Sequence, residues 1–235
     1  MPLFIWPKKS LDSKISVIEI PKDFVLTDAG TPFCDVERAL EEPNGLIAIG
    51  GDLTTQRLLD AYSRGIFPWY SEQDPILWYS PNPRMVVTPD KLHVSKSLRK
   101  TLNSNKFQLK IDTDFEQIIQ HCKTVERKDQ TGTWIDEDMV SAYTKLFEQG
   151  FVRCIGVYQQ SRLVGGLYGV SLGSVFFGES MFSLVKDSSK IAFVHLLEQM
   201  GYSLVDCQVE SPHLNSLGAF NIERHAFIQS LKELL

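Results

Sequence analysis

The sequence is poor in the features that announce a metal site, a disulfide framework or a membrane span. Its four cysteines, Cys34, Cys122, Cys154 and Cys207, stand far apart and form no C-x-x-C pair. That usage fits reduced thiols inside a cell and argues against a stapled secreted domain or a zinc ribbon. The five histidines show no H-x-x-x-H pairing, so no metal centre is expected. No apolar run approaches the ~20 residues that cross a bilayer. Within Met1–Ser10 the lysines follow the apolar residues, the reverse of a secretory signal. No repeat or low-complexity segment occurs. A basic excess is missing too: the net charge is −5, so any polyanion has to be met locally. These absences leave a cytoplasmic enzyme or binding protein as the expectation.

What is present is an ordinary globular composition, 43% hydrophobic over 235 residues. That supports one large or two small domains. Residues 1–32 lack a clear period and read as an N-terminal extension, with a possible strand at Ser16–Ile20. Residues 33–90 are dense in turns and read as a small domain. Thr54 can cap a helix that runs to Arg64 and ends at Gly65, with Leu58, Leu59, Ala61 and Tyr62 on its buried face. Phe67, Trp69, Tyr70, Trp78 and Tyr79 follow within thirteen residues. Such aromatics either pack a core or stack on nucleobases, and composition favours the core.

Residues 91–235 read as the larger domain. Between 91 and 110 there are six basic residues and no acidic one. Ser95 can cap a helix that places Lys96, Arg99 and Lys100 on one face, either a phosphate-contact patch or a solvated helix face. Thr113 to Glu116 has the spacing of a capping box opening a helix to about Lys123. A second helix is expected over Asp136–Gln149. Strands follow at Cys154–Tyr158, Leu163–Val170 and Val175–Met181, the last two joined by a turn at Ser171-Leu172-Gly173. Ser188 or Ser189 should cap a helix to about Met200, and Leu204–Gln208 reads as a buried strand. The fold class is therefore α+β, with a mixed, mostly antiparallel sheet.

Glu179 sits among apolar residues, where a charge is costly unless partnered. Asp206 and Gln208 are two residues apart, so on a strand they share a face. If a crossover makes their strands neighbours, three polar groups converge where the sheet opens. With no cation assigned to the two carboxylates, the site reads as open to a positively charged ligand.

The motifs resemble those of the leucyl/phenylalanyl-tRNA–protein transferases across about residues 33–220. The resemblance rests on Glu-Pro-Asn-Gly-Leu-Ile-Ala-Ile-Gly-Gly-Asp-Leu (42–53), Tyr-Ser-Arg-Gly-Ile-Phe-Pro-Trp-Tyr (62–70), Asp-Pro-Ile-Leu-Trp-Tyr-Ser-Pro-Asn-Pro-Arg (74–84) and Gly-Thr-Trp-Ile (132–135). Leu-Val-Gly-Gly-Leu-Tyr-Gly-Val (163–170), Phe-Gly-Glu-Ser-Met-Phe (177–182), Asp-Cys-Gln (206–208) and His-Leu-Asn-Ser-Leu-Gly-Ala (213–219) carry it further. It implies a small N-terminal α/β domain beside a domain similar to GCN5-type N-acetyltransferases. It implies transfer of Leu or Phe, sometimes Met, from aminoacyl-tRNA to the N-terminal Arg or Lys of a protein, marking it for degradation.

By that resemblance Trp69 and Trp134 hold the terminal adenosine, with Tyr62 and Tyr143 nearby. Leu167, Phe176 and Met181 line the donor side-chain pocket, and Lys96, Arg99 and Lys100 contact the acceptor stem. Gln208 and Asp206 are the catalytic pair, and Glu179 binds the substrate's positive charge. At Asn103 and Ser104 the chain departs from relatives that carry further basic residues there. An aminoacyl ester is already activated, so no ATP, cofactor or metal is expected. A monomer with no membrane partner is expected. The rivals are an acyl-CoA-dependent acetyltransferase and a non-catalytic RNA-binding module. The link Ser183–Ser189 has no glycine for a pyrophosphate loop, and the module leaves the polar convergence unexplained.

Overall fold

The computed structural model describes residues 20–28, 30–71, 74–125 and 135–235. The strand expected at Ser16–Ile20 lies outside them except for Ile20, as do Gly132, Thr133 and Trp134. Within them, short strands form a four-stranded sheet: Val25–Leu26 (β1), Leu46–Gly50 (β2), Phe67–Pro68 (β3) and Leu77–Tyr79 (β4), in the order β1-β2-β4-β3. Thr55–Ser63 (α1) connects β2 to β3. Its cap is the expected one, with the Thr54 side chain accepting from the Arg57 N–H. Leu58, Ala61 and Tyr62 are fully buried.

A seven-stranded sheet starts at Arg84–Val87 (β5). Lys96–Leu102 (α2), Gln108–Ile111 (β6), Phe115–Thr124 (α3) and Glu137–Glu148 (α4) come next. Val152–Gln159 (β7), Arg162–Leu172 (β8) and Val175–Ser183 (β9) form a meander, followed by Ser188–Gln199 (α5) and Leu204–Gln208 (β10). Pro212–Asn215 (α6), Phe220–Ile222 (β11) and Arg224–Leu234 (α7) complete the chain. The order is β11-β5-β10-β9-β8-β7-β6. Every pairing is antiparallel except β9 with β10, which α5 joins as a crossover. The mixed, mostly antiparallel α+β architecture is thus the one the alternation and helical spacing imply.

Two cores lie on opposite faces of this sheet. One gathers Tyr168, Val170 and Phe177 with Ile118 and Ile119 of α3, Met139 and Tyr143 of α4, and Tyr62 and Trp78 of the smaller sheet. The other gathers Leu167, Phe176, Met181, Val205 and Cys207 with Ile191, Phe193, Val194 and Leu197 of α5. Gly165 lets α5 approach, since a Cβ there would sit 2.3 Å from Ser188 Oγ.

Local signals were overridden at three places. The β8–β9 turn uses Gly173-Ser174, because both strands extend to the Leu172–Val175 pair. Asp114 precedes α3 in a left-handed conformation without a side-chain cap. The expected box, which would use Thr113 as its cap, does not form because the helix starts one residue later, behind Asp114, whose carboxylate accepts the Tyr158 hydroxyl. Asp187, also left-handed, precedes α5. Ser188 is therefore the first residue of that helix rather than its cap, and its hydroxyl donates to the Val164 carbonyl at 2.9 Å.

Candidate active site

The β9–β10 ladder places Asp206 opposite Phe177 and stops there, although β9 continues to Ser183. Beyond that point the two parallel strands part, and Glu179 and Gln208 lie at the parting. Glu179 is mid-strand rather than at a strand end. In the β8–β9 pairing Gly178 faces Gly169 and Ser180 faces Tyr168, so Glu179 is the inserted residue of a β-bulge. The bulge shifts the alternation: Phe177 and Phe182 lie in one core, while Phe176 and Met181 lie in the other.

Glu179 is 1% exposed. Tyr62 donates to its Oε1 at 2.7 Å, Tyr143 to its Oε2 at 2.9 Å, and Gln208 Nε2 to its Oε1 at 3.1 Å. The two tyrosine hydroxyls also contact each other. Three oxygen–oxygen contacts among two phenols and one carboxyl call for three protons, and the phenols supply two. A protonated Glu179 supplies the third, its carboxyl donating to one phenol, which then donates to the other phenol. Its titration agrees: burial pushes the carboxyl up to about 7, with the nearby Asp206 charge adding to the rise and the Tyr62, Tyr143 and Gln208 donors opposing it. Burial and the Glu179 charge hold both phenols well above their ordinary value.

Asp206, fully buried, has different company. Arg84 Nε donates to its Oδ1 at 2.8 Å and Nη2 to its Oδ2 at 2.7 Å, a bidentate pair. The guanidinium lies between the Phe67 and Phe227 rings, 4.8 and 4.6 Å from their centroids. The expectation that no cation neutralises the carboxylates is therefore corrected: Arg84 neutralises Asp206. The geometry next to it is not a plain strand either. Gln208 has φ 63°, and its backbone N–H donates to Asp206 Oδ1 at 2.9 Å. Asp206 thus holds the backbone of Gln208, while the Gln208 side chain is held by Glu179.

The structure brings Tyr62, Tyr143, Glu179, Asp206 and Gln208 together on one face. Leu167, Phe176 and Met181 are not beside them but in the core facing α5. Trp69, just past β3, is half-buried and edge-on to Tyr79 at 5.5 Å. Trp134 lies outside the described residues. Lys96, Arg99 and Lys100 are exposed on α2 behind the expected Ser95 cap. Arg99 is paired with Glu198 of α5 at 2.6 Å. Sequence reasoning gave Arg84 no role. The signal was there: a guanidinium opening the apolar run Met85-Val86-Val87 has to meet a buried acid.

The family model described as leucyl/phenylalanyl-tRNA protein transferase matches residues 86–232, and that of its N-terminal domain matches residues 51–82. A leucyl/phenylalanyl-tRNA–protein transferase of Nitrosomonas eutropha is 52% identical over 207 residues, covering 87% of this chain and 88% of its own. One of Myxococcus xanthus is 53% identical over 198 residues, covering 83% and 84%. Among solved structures, a GCN5-related N-acetyltransferase from Kribbella flavida aligns over 69% of this chain and 58% of its own, at 9% identity and a TM-score of 0.36. The matched segments contain the bulged strand, the Arg84-bound Asp206 and Gln208, and the chain belongs to the leucyl/phenylalanyl-tRNA–protein transferase family.

Proposed function

We propose that this protein is an aminoacyltransferase that moves Leu or Phe, sometimes Met, from aminoacyl-tRNA to the N-terminal Arg or Lys of an acceptor protein, marking it for degradation. The observation that carries this reading is the cluster Tyr62–Tyr143–Glu179–Gln208 at the parting of β9 and β10, within a chain of that family. It acts in the cytoplasm as a monomer, without cofactor, metal or ATP.

In the reaction the acceptor's α-amine attacks the ester carbonyl. The C–N bond forms, the bond to the tRNA 3′-oxygen breaks, and the amine proton leaves with that oxygen. An N-terminal amine titrates at about 7.7–8.0, so a useful fraction is already neutral near pH 7. A strong base is unnecessary. A carboxamide is a very weak base, so Gln208 orients the amine rather than deprotonating it. With Nε2 committed to Glu179, its carbonyl oxygen is the atom left to accept the amine N–H. Glu179, once it gives up its proton, binds the acceptor's cation. Asp206 holds the Gln208 backbone.

The apolar residues Leu167, Phe176 and Met181, in the core on the other face of the sheet, receive the donor side chain. Such a pocket separates donors by shape, at ~1–3 kcal/mol per methylene-sized difference. Trp69 and Trp134 stack on the terminal adenosine, and Lys96, Arg99 and Lys100 contact the acceptor stem. The test is incubation with radiolabelled Leu-tRNA and peptides starting with Arg, Lys or Ala. Label is expected in the Arg and Lys peptides. Label in none of them, or in all alike, would overturn the reading.

A further inference from the structure

The buried Arg84 touches more than Asp206. Its Nη1 donates to the Gly65 carbonyl at 3.0 Å. Gly65, at φ +72°, ends the helix that carries Tyr62 three residues earlier. A side chain at Gly65 would be strained and would press on Phe227 and Ile228, its Cβ 2.6 Å from Ile228 Cδ1. One guanidinium therefore joins two otherwise separate pieces of chain. One piece is the end of α1, which delivers the Tyr62 hydroxyl. The other is the end of β10, which delivers the Gln208 amide. Both groups donate to the same atom, Glu179 Oε1.

The bond to Asp206 matters for a second reason. A non-glycine residue at positive φ persists only where its surroundings hold it. The hold on Gln208 includes Asp206 Oδ1, which accepts both the Gln208 N–H and Arg84 Nε. Fixed by two guanidinium nitrogens, the carboxylate cannot rotate away from that N–H. The planar fork can do this, whereas a lysine ammonium supplies a point charge without the two-point geometry.

We propose that Arg84 is a positioning residue for transfer: by tying Gly65 to Asp206 it sets the spacing between the Tyr62 and Gln208 donors on Glu179. This rests on the proposed transfer reaction for its kinetic consequence but not for its structural one, so two readouts are needed.

The first readout is hydrogen exchange at the Gln208 backbone amide, in wild type and in Arg84→Lys and Arg84→Met, with the Val157 amide in the β7–β8 hairpin as internal reference. At least tenfold faster exchange at Gln208 is expected with the reference unchanged. Equal exchange at Gln208, or equal acceleration everywhere, would overturn the proposal. The second is steady-state transfer by the same proteins and by Asp206→Asn, alone and combined with Arg84→Lys. Arg84→Lys should lower kcat ~10²-fold, as misplacement of a reacting group does, with KM for Leu-tRNA within twofold. The double variant should be no slower than Asp206→Asn alone. Losses that multiply, or an unchanged kcat, would overturn it. If wild type transfers nothing while Gln208 exchange responds to Arg84→Lys, the transfer reading fails and the positioning stands. Arg84→Lys keeps the charge, so it serves where Arg84→Met does not fold.

Discussion

Glu179 and Asp206 are two buried carboxylates on one face of one sheet, and their surroundings differ in kind. Asp206 meets a guanidinium in a bidentate pair. Glu179 meets two phenols and a carboxamide, all neutral. Neutral donors ease the cost of a buried charge without cancelling it, so Glu179 titrates near 7. Separation of two acids by environment lets one act as scaffold and the other respond to ligand and pH. The scaffold is the residue with the salt bridge, and the responsive group is the one without.

The largest expected effect breaks the scaffold. Asp206→Ala leaves the Arg84 guanidinium buried and unpaired, which costs ~3–5 kcal/mol, read by denaturant unfolding. Glu179→Gln should cost far less, within ~1–2 kcal/mol, because an amide has nearly the shape of the neutral acid and can keep partners in the cluster. It should still raise KM for an Arg-starting peptide. Equal stability losses in the two variants would erase the contrast, and unchanged acceptor kinetics would remove Glu179 from acceptor binding.

The contrast also has a pH signature. The folded carboxyl of Glu179 titrates at about 7, against an ordinary value of 4.5. Between those values the folded state holds the extra proton, so stability falls as pH rises. The contribution is complete below about 4.5 and lost as pH passes about 7. Glu179→Gln should remove that part of the slope between about pH 4.5 and 7 in unfolding midpoints. A slope identical to wild type would place the titration elsewhere. Tyr143→Phe removes a donor that opposes the rise, so it should carry the Glu179 titration upward. This is measurable by NMR of the side-chain carboxyl.

The smallest effects belong to charges in water. Arg99 and Glu198 are paired at the surface, where such a pair contributes ~0–1 kcal/mol. Glu198→Gln should tighten tRNA binding a few-fold at low salt by releasing Arg99. Lys100→Ala should weaken it by a similar factor. Both differences should shrink as salt rises, and salt-independent differences would argue against phosphate contact by α2.

Much of this fold was legible because each face of it repeats. Cys154–Tyr158 and Leu163–Val170 read as strands from composition, within the observed Val152–Gln159 and Arg162–Leu172, and α1 and α4 read as helices from apolar spacing, with the expected Thr54 cap in place. Two expected caps do not form because the chain enters α3 through Asp114 and α5 through Asp187, both left-handed, while the Asp114 carboxylate and the Ser188 hydroxyl bond Tyr158 and Val164 across the fold. The site was legible as a set of residues but not as a circuit. Arg84 and Asp206 are separated by 122 positions, and only strand order makes β5 and β10 neighbours. The bulge at Glu179 leaves no mark in the sequence, because Phe-Gly-Glu-Ser-Met-Phe alternates acceptably with or without it. The positive φ of Gln208 was equally hidden, since glutamine has no preference for that conformation.

The most direct test of the account is single-turnover transfer from Leu-tRNA to an Arg-starting peptide by wild type and Gln208→Ala, with tRNA affinity measured alongside. If Gln208 orients the attacking amine from the clamp on Glu179, the variant should be ~10²-fold slower while binding Leu-tRNA as tightly as wild type. Transfer at the wild-type rate by Gln208→Ala would contradict it.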